Sequence, residues 1–278
     1  MLDRYALLLG AMKSGTTALF QTLSKHPDVL GSENKEPAFW IRDGAQARGL
    51  EAYRGLWSPD EKPSASWRME ASTAYTKLPV CCSPAARLRH LSAEFRFIYV
   101  VRNPVDRIRS HYEHALTEGW IDKPITQGID PTVLWFSNYH AQLKPFVDCF
   151  GLERIHVLSY EELCTHPEEV LADICRFLEI ESGSLSARLN PANTSDMYRR
   201  RRFQDRQRRQ VGPAGTRSDA RLQAQLTAES TPSEEHILEI HAALDEDLAK
   251  FEETFGINPW TGQRSSSTQG LASTQPAA

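Results

Sequence analysis

The sequence predicts an α/β fold, with a central parallel sheet flanked by helices, and two observations carry that prediction. Short β-rich or apolar runs at residues 5–9, 95–101 and 154–159 read as strands, and a stretch with helical spacing follows each of them. Strands that alternate with helices need crossover connections, which make neighbouring strands parallel. Such a sheet puts its binding crevice at the carboxyl ends of its strands. Residues 1–260 are read as one domain, and residues 261–278, rich in Ser, Thr, Gln, Gly and Ala, as a disordered tail.

The elements follow in order. The first strand, Tyr5-Ala6-Leu7-Leu8-Leu9, runs straight into Gly10. Helices are expected over residues 16–25, 84–91, 104–117, 131–150 and 167–178, several with proline in the first turn, where its missing N–H costs nothing. Residues 190–215 carry prolines, asparagine and an arginine cluster and read as a long loop or a weakly formed helix. Helical spacing returns at 233–255, where Ile237, Ile240, Leu244, Leu248 and Phe251 form one stripe.

Composition narrows the function classes. Apolar residues make up 40% and charged residues 24%, which excludes a disordered or membrane-embedded bulk. The net charge of -4 argues against a generally nucleic-acid-binding surface. The apolar run before Gly10 is too short for a secretory signal or a membrane span, so no membrane segment is expected. The five cysteines (Cys81, Cys82, Cys149, Cys164 and Cys175) are odd in number and form no C-x-x-C pair, as expected of reduced thiols in a cytoplasmic protein without a zinc site.

The most informative stretch is Gly10-Ala11-Met12-Lys13-Ser14-Gly15-Thr16-Thr17, set between a strand and a helix. A glycine turn feeding a helix N-terminus presents backbone N–H groups and a positive field to phosphate. A Walker A loop requires lysine straight after the second glycine. Here Thr16 holds that position, and the lysine, Lys13, lies inside the loop. The later strand ends in Val101-Arg102-Asn103-Pro104 rather than in an acidic residue that would hold magnesium, which disfavours a P-loop kinase. These substitutions suit a donor whose reactive group is a sulfate on a 5′-phosphate, because Lys13 neutralises the bridging oxygen without a metal.

With Lys13, Ser14, Gly15, Thr16 and Thr17 in place, the loop resembles the 5′-phosphosulfate loop of sulfotransferases that use 3′-phosphoadenosine 5′-phosphosulfate (PAPS). Arg102 leaves a strand end, and Ser110 lies eight residues further on in the next helix. This pair is similar to the family's 3′-phosphate motif. The resemblance spans most of residues 5–260 and implies a P-loop-like, three-layer α/β enzyme with PAPS as donor substrate, no metal, and a hydroxyl-bearing acceptor: a glycan, a carrier-bound acyl chain or a small alcohol. A non-catalytic nucleotide-binding protein is the alternative outside enzymes.

Sulfuryl transfer needs a base at the acceptor oxygen. The residue types leave Glu36, Glu70 and a histidine as candidates. Relatives acting on glycans carry a glutamate in a Lys-Glu-Pro segment soon after His-Pro-Asp; His26-Pro27-Asp28 and Lys35-Glu36-Pro37 resemble this, which implies Glu36 as the base. Glu70-Ala71-Ser72-Thr73-Ala74-Tyr75 resembles a second segment bordering the acceptor site. Ala71 stands where several glycan-modifying relatives have lysine, a departure that weakens the carry-over of their acceptor chemistry and leaves the donor site untouched. His26, His111 and His114 are read as packed or surface residues, Arg107 and Arg109 as a solvated basic helix start, and Tyr139 as facing either the cleft or the core. Between Arg199 and Arg209 lie seven arginines. They are expected to meet the 3′-phosphate, an anionic acceptor, or only solvent; nucleic acid is disfavoured because aromatics are not interleaved.

Overall fold

A computed structural model describes residues 3–121, 123–184 and 219–265. Its core is one five-stranded, wholly parallel sheet of order β2-β3-β1-β4-β5, built from β1 (Arg4–Gly10), β2 (Val29–Gly31), β3 (Trp67–Glu70), β4 (Glu94–Val101) and β5 (Ile155–Ser159). The helices are α1 (Thr16–Leu23), α2 (Ala45–Arg54), α3 (Ala85–Leu88), α4 (Pro104–Glu118), α5 (Pro131–Trp135), α6 (Tyr139–Phe150), α7 (Tyr160–Thr165), α8 (Pro167–Leu178), α9 (Asp219–Ser230) and α10 (Glu234–Phe255). The three strands expected from the sequence are β1, β4 and β5.

Strands buried on both faces read as unbroken apolar runs, which is why β1 and β4 were legible. Alternation then sorts the side chains. Tyr5, Leu7 and Leu9 join Phe97, Tyr99, Phe146, Leu244 and Phe251 on one face, while Ala6 and Leu8 join Leu19, Leu23, Val100 and Ile174 on the other. β2 and β3 escaped the sequence reading because they span only three and four residues, and β3 mixes polar with apolar types.

Three expectations change. Residues 131–150 form two helices, α5 and α6, because the ladder tightens at the break, where the Ser137 and Asn138 N–H groups donate to the Leu134 and Trp135 carbonyls at 2.9 and 3.0 Å and the Val133 carbonyl accepts from the Arg107 guanidinium. Arg107 is therefore not a solvated residue: it is completely buried. The stretch 261–265 also pairs back on the fold, with Ile257 and Arg264 forming an antiparallel bridge and the Ser265 N–H donating to the Gly256 carbonyl at 2.9 Å. The arginine tract and residues 266–278 lie outside the described residues. Among the described residues, no helix is long and apolar enough to cross a membrane.

Candidate active site

The crevice opens where β1 and β4 end side by side, because the connections from β1 run to the β3 side of the sheet and those from β4 to the β5 side. The turn after β1 is tied to β4 by the Ala11 N–H, which donates to the Val100 carbonyl at 2.8 Å. Lys13 sits in the left-handed region with φ 73°, a conformation that costs a non-glycine residue roughly 1–2 kcal/mol and that concentrates at functional sites. Gly15 follows at φ 78°, and a Cβ there would lie 3.0 Å from the Tyr160 ring. Only glycine satisfies both demands.

Gly15 is also the N-cap of α1; among the described residues no side chain caps that helix, and its first turn carries no acidic residue. α4 differs: Asn103 accepts from the N–H groups of Val105 and Asp106. The first turn of α1, carrying Thr16 and Thr17, thus keeps its field for an external anion.

Arg102 leaves β4 and closes on this loop, with one guanidinium nitrogen donating to the Lys13 carbonyl at 2.9 Å and the group stacked 4.5 Å above the Tyr160 ring. Tyr160 therefore forms a shelf between Gly15 and Arg102, a role that its place after β5 did not reveal. The Tyr139 hydroxyl donates to the Arg102 carbonyl at 2.7 Å from a fully buried ring, so this residue both packs the core and steadies the site. Ser110 is nearly buried in α4, two turns beyond Arg102.

The residues present fit a phosphorylated nucleotide. Among the described residues, Ser14 Oγ and Arg102 Nε are both buried without a hydrogen-bond partner, at the loop and at the strand end that faces it. Arg107 adds a buried guanidinium whose partners are neutral: Ser137 Oγ at 2.6 Å, the Val133 carbonyl, and His111 Nδ1 at 3.4 Å. Burial and then the charge of Arg107 push the His111 pKa far below the ordinary imidazole range, so His111 is neutral.

Glu36 lies on the other side of β1. Its carboxylate meets Lys35 Nζ at 2.7 Å and the Thr73 hydroxyl at 3.3 Å, and it stays open to solvent. The segment carrying it is held by two bonds: the Ala71 N–H donates to the Lys35 carbonyl (3.0 Å), and the Ala38 N–H to Ser72 Oγ (2.9 Å). Ser72 donates in turn to Glu70, which also receives the hydroxyls of Tyr53 (2.6 Å) and Tyr75 (2.8 Å). Burial pulls the Glu70 pKa upward against these three donors. Completely enclosed, Glu70 supports the segment and has no access to an acceptor. Ala71 points to the opposite face of the sheet and packs with Ala6 and Leu8, away from the crevice. Of the histidines, His26 is buried and hydrogen bonds the Glu181 carbonyl.

The class defined by this fold and site is an α/β protein with a P-loop-like anion cradle and a lysine inside the loop. Residues 3–214 match the family model of the Sulfotransferase domain, and the chain belongs to that family. Among curated proteins it is 38% identical to mouse heparan sulfate glucosamine 3-O-sulfotransferase 6 over 188 residues, 63% of this chain and 52% of that one. It is 29% identical to mouse heparan sulfate glucosamine 3-O-sulfotransferase 3B1 over 187 residues, 63% of this chain and 46% of that one. The chain spans about half the length of these curated relatives. A solved sulfotransferase from Alicyclobacillus acidocaldarius has the same fold, with TM-score 0.61, 22% identity, and coverage of 92% of this chain and 96% of that one.

Proposed function

We propose that this chain transfers a sulfuryl group from PAPS to a hydroxyl of a saccharide acceptor. The observation that carries the reading is the closure of Arg102 on the Lys13 carbonyl, which joins the two anion anchors into one cradle, with Ser14 Oγ and Arg102 Nε unpartnered among the described residues. In this reading Lys13, Ser14, Gly15, Thr16 and Thr17 hold the 5′-phosphosulfate, and Arg102 and Ser110 hold the 3′-phosphate. PAPS supplies the activated sulfate.

Glu36 takes the proton of the acceptor hydroxyl while Lys13 neutralises the oxygen that leaves sulfur. The saccharide acceptor rests on the relatives, whose names specify a heparan sulfate glucosamine. All five cysteines are free of disulfides, which supports a reducing compartment such as the cytoplasm.

Isothermal titration with 3′-phosphoadenosine 5′-phosphate (PAP), AMP and ATP–Mg²⁺ tests the donor site. PAP is expected to bind best and to lose its advantage over AMP in Arg102→Ala; tighter ATP–Mg²⁺ binding overturns the reading in favour of a kinase. Sulfation of heparan oligosaccharides, set beside simple phenols and alcohols, tests the acceptor class. Turnover of the phenols alone would refute a saccharide.

A further inference from the structure

Lys77 stands at a junction of the two halves of the crevice. It follows the 3₁₀ turn Thr73–Thr76, whose first residue reaches Glu36 and whose last, Thr76, donates its hydroxyl to the Leu9 carbonyl at 2.7 Å, at the entrance to the Lys13 loop. On its other side Gln142 clamps Leu78, accepting from its N–H at 2.9 Å and donating to its carbonyl at 3.0 Å. The backbone of Lys77 is thereby fixed at both neighbours.

The side chain is half-buried, and the titratable groups near enough to act on it are Glu36, Cys81, Arg107 and Lys35. His111 on α4 lies near enough to feel the charges of both Lys77 and Lys13. Among the described residues it makes no hydrogen bond and no ion pair. Lys62, by contrast, donates to three carbonyls, and Lys35 is paired with Glu36. A partly desolvated ammonium without a partner is costly, and burial accordingly pulls the Lys77 pKa down. An anion placed there would offset that cost.

We propose that the Lys77 ammonium holds the non-bridging oxygens of the sulfuryl group during transfer, as a second cation opposite Lys13. This rests on the donor-site reading above. In the step, the acceptor oxygen bonds to sulfur and the bond from sulfur to the 5′-phosphate oxygen breaks. The electron pair stays with that phosphate beside Lys13, and the acceptor proton passes to Glu36. Lys77 neither gains nor loses a proton. An anion on the acceptor is the less direct partner, because Lys35 already covers the other oxygen of the Glu36 carboxylate.

Binding separates this role from support of the fold, since PAP and PAPS differ only in the sulfuryl group. Titration of the wild-type protein, Lys77→Met and Lys77→Arg with PAP and with PAPS is the test, with melting curves to verify folding. Lys77→Met is expected to bind PAP as the wild type does and to bind PAPS about tenfold more weakly, with Lys77→Arg recovering part of the loss. Equal weakening of PAP and PAPS, or an unchanged ratio between them, overturns the proposal. A wild-type protein that does not prefer PAP to AMP overturns the donor reading and this inference with it, whereas a failure confined to Lys77→Met overturns the inference alone.

Discussion

The two sides of the crevice are built differently. The side proposed for the donor is made of continuous chain: β1 runs into the Lys13 loop and α1, β4 runs into Arg102 and α4, and backbone pairing in the middle of the sheet joins them. The side proposed for the acceptor is assembled from separate pieces, residues 35–38 and 70–77, which are held together largely by side-chain hydrogen bonds through Glu70 and Ser72. A site part carried on neighbouring central strands inherits its geometry from the sheet. One hung on hydroxyls and a buried carboxylate depends on each of those groups.

Substitutions on the two sides should therefore fail in different ways. The largest effect is expected for Glu36→Gln and Lys13→Ala, each lowering kcat by about 10²- to 10⁴-fold, with PAP affinity kept in Glu36→Gln. Near-normal turnover in Glu36→Gln would remove it as the base. Arg102→Ala comes next: loss of a charged hydrogen-bonding partner of the phosphate should weaken PAP binding by about 1.5–3 kcal/mol and leave AMP binding unchanged, as read by titration calorimetry.

Ser72→Ala breaks the link between Glu70 and Ala38 on the acceptor side. It is expected to cost about 1–3 kcal/mol of stability in denaturant melts and to lower turnover without touching PAP affinity. Weakened PAP binding in this variant would show that the two sides are mechanically joined.

The smallest effect concerns pH. Because the folded His111 resists protonation while the unfolded chain protonates near pH 6.5, His111 contributes stability above that pH and the contribution is lost as pH falls below it. The slope is at most about 1.4 kcal/mol per pH unit for one proton, and buried His156, also depressed, adds with the same sign. His111→Phe should flatten the acid-side stability curve measured by chemical denaturation, and an unchanged curve would mean that the imidazole takes up its proton in the folded state.

Legibility in the sequence followed the same division. The Lys13 loop and Arg102 could be recognised because strand, turn and helix succeed one another within a few residues. Glu36 was singled out only by the resemblance that Lys35 and Pro37 carry, and the support of its segment through Ala38 and Ser72 was not legible, since that contact spans 34 positions. Arg107 was misread because a basic residue in the first turns of a helix is ordinarily solvated; here α4 turns it inward against Ser137 and His111. Lys77 gave no signal, as nothing local distinguishes a half-buried lysine from a surface one.

The residues alone determine the parallel α/β architecture and the strand–loop–helix cradle, because both are dictated by local hydrophobic runs, by a glycine that tolerates a left-handed turn, and by the unsatisfied N–H groups at a helix start. Tertiary structure decided which charges lost their water. Arg107, Glu70, His111 and Lys77 acquired their states from partners brought in across the sheet, and desolvation is a property of the assembled surroundings rather than of any residue or its neighbours in the chain.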